Sequence, residues 1–160
     1  MAADTRFINP EGLVCSPAYT QVVEVTAASR TIYVSGQLGT TPDGKLVSRD
    51  FRAQAEQVFA NLKAALASAG AGFADVVKID SYLADMAHLP ALREVRAANL
   101  NLAALPASTT IEVSGFALAG ALLEVEVIAA VPIRAARGRA PAVRRRAPSR
   151  KVKRGRRTGR

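Results

Sequence analysis

One cysteine, one histidine and no acidic residue after Glu126 are what this 160-residue chain offers to several common chemistries. With Cys15 alone, no internal disulfide can form, and a small buried or edge thiol in a reducing cytoplasm is the expectation. No C-x-x-C pair or His/Cys cluster has the spacing of a zinc site, so no metal is expected. His88 has no Ser, Cys or carboxylate partner at recognisable spacing and is expected to open a helix rather than to catalyse. The opening MAADTRFINPEG lacks a basic stretch followed by an apolar one, which argues against a secretory signal. The most apolar run, residues 116–133, is broken by Glu124 and Glu126, which argues against a membrane span.

Charge divides the chain in two. Residues 1–133 carry nine basic and thirteen acidic residues, a balance of −4, whereas residues 134–160 carry the other thirteen basic residues and no acid. The second part has few apolar side chains to bury, contains Pro141 and Pro148, and is expected to be a disordered tail. Such a block attracts polyanions by counterion release, so nonspecific nucleic-acid binding is one partner expectation, set against a solvated tail without a fixed partner.

The body, residues 1–133, is expected to be one domain. Two β-rich runs around TAASR suggest an antiparallel hairpin from about Tyr19 to Gln37, and Pro42, Asp43 and Gly44 make a turn. Asp50 is a plausible N-cap for a helix to about Ala69, with Phe51, Ala55, Val58, Phe59, Leu62 and Leu66 on one face and Gly70 as its stop. The ASAGAGFAD segment spaces its glycines too closely for a phosphate loop and reads as that helix's exit. A strand follows in DVVKIDSYLAD, with Val77, Ile79, Ser81 and Leu83 opposite Val76, Lys78, Asp80 and Tyr82.

A second helix runs from His88 to about Leu102, with Arg93 and Arg96 turned away from its apolar face and Pro106 as its stop. Strands at about 109–114 and 122–131 complete a ββαβαββ order, an α+β fold of one mixed sheet covered by two helices. The sheet's other face mixes Tyr33, Ser35, Asp80, Tyr82, Glu112, Glu124 and Glu126 with Leu122 and Ile128, a composition that suits contact with a second subunit. Glu126 shares a face with Glu124, but exposed strand carboxylates are common and the pair alone does not define a site.

In order and spacing, TIYVSGQLGTTPDGKLV, QAEQVFANLKAALASAGAGFADVVKIDSYLAD, LPAST and LLEVEVIAAV resemble the Rid family of reactive-intermediate deaminases, the YjgF type, over about Asn9 to Pro132. The resemblance implies a two-layer chorismate-mutase-like fold, a homotrimer with a ligand cleft at each subunit interface, and no cofactor or metal. It also implies hydrolysis of reactive imines and enamines to 2-oxo acids and ammonia, for which the single cysteine sets the expected location as cytoplasmic. By the same resemblance Tyr19, Ser35, Gly36, Ser108 and Thr109 line the cleft, and Glu124 is the catalytic, water-positioning carboxylate.

The family's Pro-Ala-Arg-Ser/Thr motif reads Pro106-Ala107-Ser108-Thr109 here, so the chain resembles the arginine-lacking subgroups. A guanidinium grips a carboxylate through two charge-assisted bonds, whereas a hydroxyl makes one neutral bond. The exchange loses on the order of 1 to 2 kcal/mol of binding, roughly ten-fold or more in affinity. Arg93 stands near the position of a pocket asparagine in relatives, and Arg93 or Arg96 offers a replacement cation from the helix side, against the alternative of a solvated helix face. Altered or weakened hydrolysis is therefore expected. The alternatives are a nucleic-acid-interacting protein acting through the basic tail, endoribonuclease-like or translation-inhibitor-like, and a catalytically silent ligand-binding regulator.

Overall fold

A computed structural model describes residues 5–26 and 29–133 of the chain; the basic tail lies outside the described residues. The elements run β1 (Thr5–Ile8), β2 (Val22–Val25), β3 (Ser29–Leu38), α1 (Phe51–Ser68), β4 (Val76–Leu83), α2 (Leu89–Asn99), β5 (Ala107–Glu112) and β6 (Leu123–Pro132). Four strands form a mixed sheet in the order β3-β6-β4-β5, antiparallel except for the parallel β4–β5 pair. A parallel neighbour requires a crossover, and α2 supplies it.

Both helices lie on one face of this sheet, as the apolar periodicity implies. Asp50 caps α1 by accepting from the Ala53 N–H at 2.8 Å. Its Val58, Phe59, Leu62 and Leu66 are buried against Ile79, Leu83, Leu123, Val125 and Val127 of the sheet. Each fully buried leucine contributes about 2 kcal/mol relative to exposure. Gly70 ends α1 with φ +68°, a left-handed conformation that glycine adopts without steric cost.

The structure corrects the sequence reading at several points. Residues 19–37 do not form a hairpin: β2 pairs with β1 in a separate two-stranded ribbon, where Arg6 and Glu24 form an ion pair at 2.7 Å, and β3 pairs with β6. The four-residue β1 is too short to show alternation. The order is thus βββαβαββ. In β4 a bulge between Val76 and Lys78 turns Val76 into the core in place of Val77.

Helix α2 begins after a 3-10 turn at Met86–His88 and stops at Asn99, three residues short of Leu102, which is exposed. His88 does open this helix, its ring stacked on Phe51 with centroids 4.3 Å apart. Strand β5 starts two residues earlier than expected and ends at Glu112, which pairs with Leu83 on the helix-covered side and accepts from the Met86 N–H at 2.8 Å. Arg96 is buried, and Cys15 is exposed. Among the described residues, no helix is long and apolar enough to cross a membrane.

Candidate functional site

The strand pairings separate the residues singled out in the sequence into two groups, one on each face of the sheet. Ser108 pairs with the fully buried Ile79 and so faces the helices, whereas Thr109 pairs with Asp80 and faces the open side. Glu124 and Glu126 on β6 pair with Tyr82 and Asp80, which places them on the open face too. Within one protomer, Ser108 and Glu124 are therefore on opposite sides of the sheet.

On the open face, a bulge in β3 skips Ser35 and Gly36 in the pairing register, and Gly36 lies directly over Glu124. A methyl group at Gly36 would fall 1.8 Å from Glu124 Oε1, so only glycine lets the backbone approach this carboxylate so closely. Glu124, Glu126, Tyr82, Val113 and Phe116 line a groove of about 240 Å³. The Tyr82 hydroxyl donates to Glu126 Oε1 at 3.0 Å. That hydrogen bond, with burial and the surrounding carboxylates, raises the phenol's pKa above its ordinary value, so Tyr82 stays a donor at neutral pH.

Asp80 and Glu126 stand opposite one another as like charges, and Lys78, hydrogen-bonded to Asp80 and, at 2.8 Å, to Thr109, offsets that repulsion. Ser35 is exposed at the edge of this face, and its carbonyl accepts from Gln37. Tyr33 and Ile111 present exposed apolar surface beside the carboxylates.

The other group is built on α2. Residues 16–20 are held against the segment before β5: Thr20 Oγ1 donates to the Leu105 carbonyl at 2.6 Å, and the Thr20 N–H donates to the Pro106 carbonyl at 3.2 Å. Tyr19, half-buried, belongs to this pinned segment. Between it and α2 lies a cleft of about 370 Å³, lined by Ala18, Arg93, Arg96, Leu100 and Leu105 among others. Arg93 is exposed.

Arg96 is only 7% exposed; its Nη1 donates to Ser108 Oγ at 3.0 Å and its Nη2 to the Ala18 carbonyl at 3.4 Å. Burial, and the neighbouring Arg93, push its pKa below the ordinary arginine range, yet a guanidinium remains a cation near neutrality. The sequence reading placed Arg96 off the apolar face. Its spacing of four from both Leu92 and Leu100, which are buried, was the signal that it lies on the inward stripe.

Among the described residues, no group of three or more His, Cys, Asp or Glu is placed to hold a metal ion. What the open-face groove can do chemically is accept a proton at Glu124 and donate a hydrogen bond from backbone at the β3 bulge, the Tyr82 proton being committed to Glu126. What the α2 cleft can do is hold an anion beside apolar walls.

Residues 13–131 match the family described as endoribonuclease L-PSP. The chain is 37% identical over 116 residues to the human 2-iminobutanoate/2-iminopropanoate deaminase, covering 65% of this chain and 82% of that protein. It is 35% identical over 113 residues to the mitochondrial protein MMF1 of Saccharomyces cerevisiae, covering 71% of this chain and 77% of MMF1. Among solved structures, a Rid-family protein of Yersinia pestis, YyfB, is similar at TM-score 0.71 with 34% identity, covering 80% of this chain and 99% of that one. The helix pair over a mixed sheet is the architecture of these relatives, and the chain belongs to the endoribonuclease L-PSP family, which includes the Rid and YjgF proteins.

Proposed function

We propose that this protein binds a small metabolite and hydrolyses reactive imines or enamines to 2-oxo acids and ammonia, in a homotrimer whose sites lie between protomers. The observation that carries it is the Glu124 carboxylate seated against the Gly36 backbone over a groove that also contains the Tyr82 hydroxyl. Support for the oligomer comes from the open face: Tyr33, 77% exposed, and Ile111, 45% exposed, sit where a neighbouring protomer would cover them. A deaminase activity is printed in the names of relatives such as the human protein.

In the reaction, Glu124 accepts a proton from a water molecule as the water oxygen bonds to the imine carbon. Glu124 returns that proton to the imine nitrogen to complete the carbinolamine, and the hydroxyl proton then passes by way of Glu124 to the amino nitrogen as the carbon–nitrogen bond breaks, the carbonyl forms and ammonia leaves. Backbone donors at the β3 bulge stabilise the charge that develops in the addition step, while the Tyr82 hydroxyl holds Glu126 in place. An enamine enters the same sequence after protonation at carbon.

The test is ammonia release from freshly generated 2-iminopropanoate, measured beside sedimentation equilibrium of the purified protein. Release above the spontaneous rate from a three-protomer species supports the assignment; a monomer with only background release would overturn it. Gly36→Ala is expected to lower kcat at least ten-fold while leaving Tm within a few degrees, because the added methyl displaces the flexible end of Glu124 rather than backbone.

Nucleic-acid binding through residues 134–160 is favoured separately by their thirteen basic residues. Removing that segment is then expected to abolish RNA binding and its steep dependence on salt. Unchanged RNA binding in the truncated protein would assign the contact to the domain instead.

A further inference from the structure

We propose that the cleft between residues 16–18 and α2 is a monocarboxylate site in which Arg96 grips the anion and the apolar walls receive an aliphatic chain. The assignment rests on the hydrolase reading only for its link to turnover, since a 2-imino acid also carries a carboxylate; binding itself is measured without any reaction.

Burying a guanidinium is costly unless charge and hydrogen bonds compensate it. Arg96 is 7% exposed, and its hydrogen bonds run to two neutral acceptors, the Ser108 hydroxyl and the Ala18 carbonyl. No Asp or Glu among the described residues forms an ion pair with it, although surface arginines such as Arg6 and Arg52 do find carboxylates. Arg93, the other charged residue lining the cleft, is a second cation and adds to the positive potential. A guanidinium presents five N–H donors in a planar fork, so donors remain for a bidentate carboxylate.

The walls say what the rest of the ligand is. Pro17, Ala97, Leu100, Leu102 and Leu105 contribute no charge to the cleft. Leu102 is 61% exposed there, apolar surface that an aliphatic ligand would cover. A cleft of about 370 Å³ suits a small organic acid. Arg96 is the buried cation of the cleft and Arg93 an exposed one, so a monocarboxylate seats its charge on Arg96 and its chain along the leucines, while a second charge would reach only the solvated Arg93.

Ser108 acts here as a positioning residue: its hydroxyl accepts from Nη1 and holds the fork toward the cleft. A second arginine at position 108 would meet Arg96 as a like charge. Ser108→Arg is thus expected to weaken carboxylate binding, and to restore it only when combined with Arg96→Met.

Isothermal titration calorimetry with acetate, butanoate and hexanoate at constant ionic strength tests the site, with butanamide as the uncharged probe. The wild type is expected to bind butanoate, with affinity rising about three- to fourfold for each added methylene. Arg96→Met should weaken butanoate at least ten-fold and leave butanamide unchanged. Arg93→Gln, a surface change that spares the core, should weaken butanoate about two- to fivefold. The comparison of charged and uncharged ligands on one variant separates a lost anion contact from a misfolded cleft, and circular dichroism melts check the fold directly.

No detectable binding of butanoate to the wild type at tens of millimolar, or equal binding by wild type and Arg96→Met, would overturn the proposal. Butanoate bound through Arg96 without any imine hydrolysis supports the site and sinks the hydrolase reading alone. Imine hydrolysis at the wild-type kcat/KM in Arg96→Met, with butanoate binding lost, supports both the site and the hydrolase but overturns the link between them.

Discussion

Gln54→Leu is expected to lose about 3 to 4 kcal/mol of folding stability, the largest effect of any single polar change in the domain. Gln54 is fully buried in the first turn of α1, and a fully buried polar side chain is unusual. Its Nε2 donates to the carbonyls of Ser48 at 2.9 Å and Gly120 at 3.0 Å, and its Oε1 accepts from the Leu122 N–H at 2.9 Å. One side chain thus pairs with three backbone groups from two loops. Leucine matches its volume but leaves all three groups unpaired beside the core.

Denaturant titration should show a lower midpoint at unchanged slope, and the melting temperature should fall by roughly 12 to 16 °C. A loss below about 1 kcal/mol would mean that water reaches those loop groups once the amide is gone. The space for relief is small: a methyl at Gly39 would already lie 2.7 Å from Gln54 Cα, so the chain leaving β3 packs on this turn of α1 without slack.

Glu124→Ala carries the largest expected effect on activity, a fall in kcat of about 10² to 10³ with KM little changed. The carboxylate is placed both against the β3 bulge and in the open-face groove. Alanine removes the acceptor that orients water, while the anion contact assigned to the α2 cleft is untouched. Steady-state ammonia release against freshly generated imine measures both constants. Glu124→Asp keeps the charge but shortens the reach by one methylene, and an intermediate rate there would tie the effect to position. If the alanine variant kept a third or more of the wild-type kcat, the attacking water would have to be oriented by another group.

Periodicity made much of the fold legible because the helices and β6 bury one face each. In α1 all six apolar positions at three- and four-residue spacing are buried, and in β6 the alternation of Leu123, Val125, Val127 and Ala129 with the two glutamates is the observed inside and outside. Partnering was less legible than type. The β2 and β3 runs are neighbours in sequence but belong to different sheets, because β2 finds its partner in the short β1. A bulge at Val76 reversed one position of an otherwise correct alternation.

The candidate site was legible in its residue types and not in its geometry. Gly36 and Glu124 are 88 positions apart in sequence and meet only because β3 pairs with β6. Arg96 was misplaced because a charged residue ordinarily marks the solvent side of a helix, whereas here a hydroxyl from β5 and a carbonyl from residue 18 receive it. Both partners arrive through tertiary structure, which pattern within the helix cannot register.

The bond from Thr20 to the Leu105 carbonyl spans 85 residues, and it joins the two walls of the α2 cleft. Contacts between such distant segments pay their loop-closure entropy late, after the locally connected helices and strands have condensed. During synthesis the N-terminal wall leaves the ribosome long before its partner does, so the cleft is assembled only once residue 105 has emerged. A protease cut ahead of Thr20 would accordingly unmake the cleft while sparing the helix-on-sheet core, so that ligand binding reports an intact N-terminus rather than a folded domain.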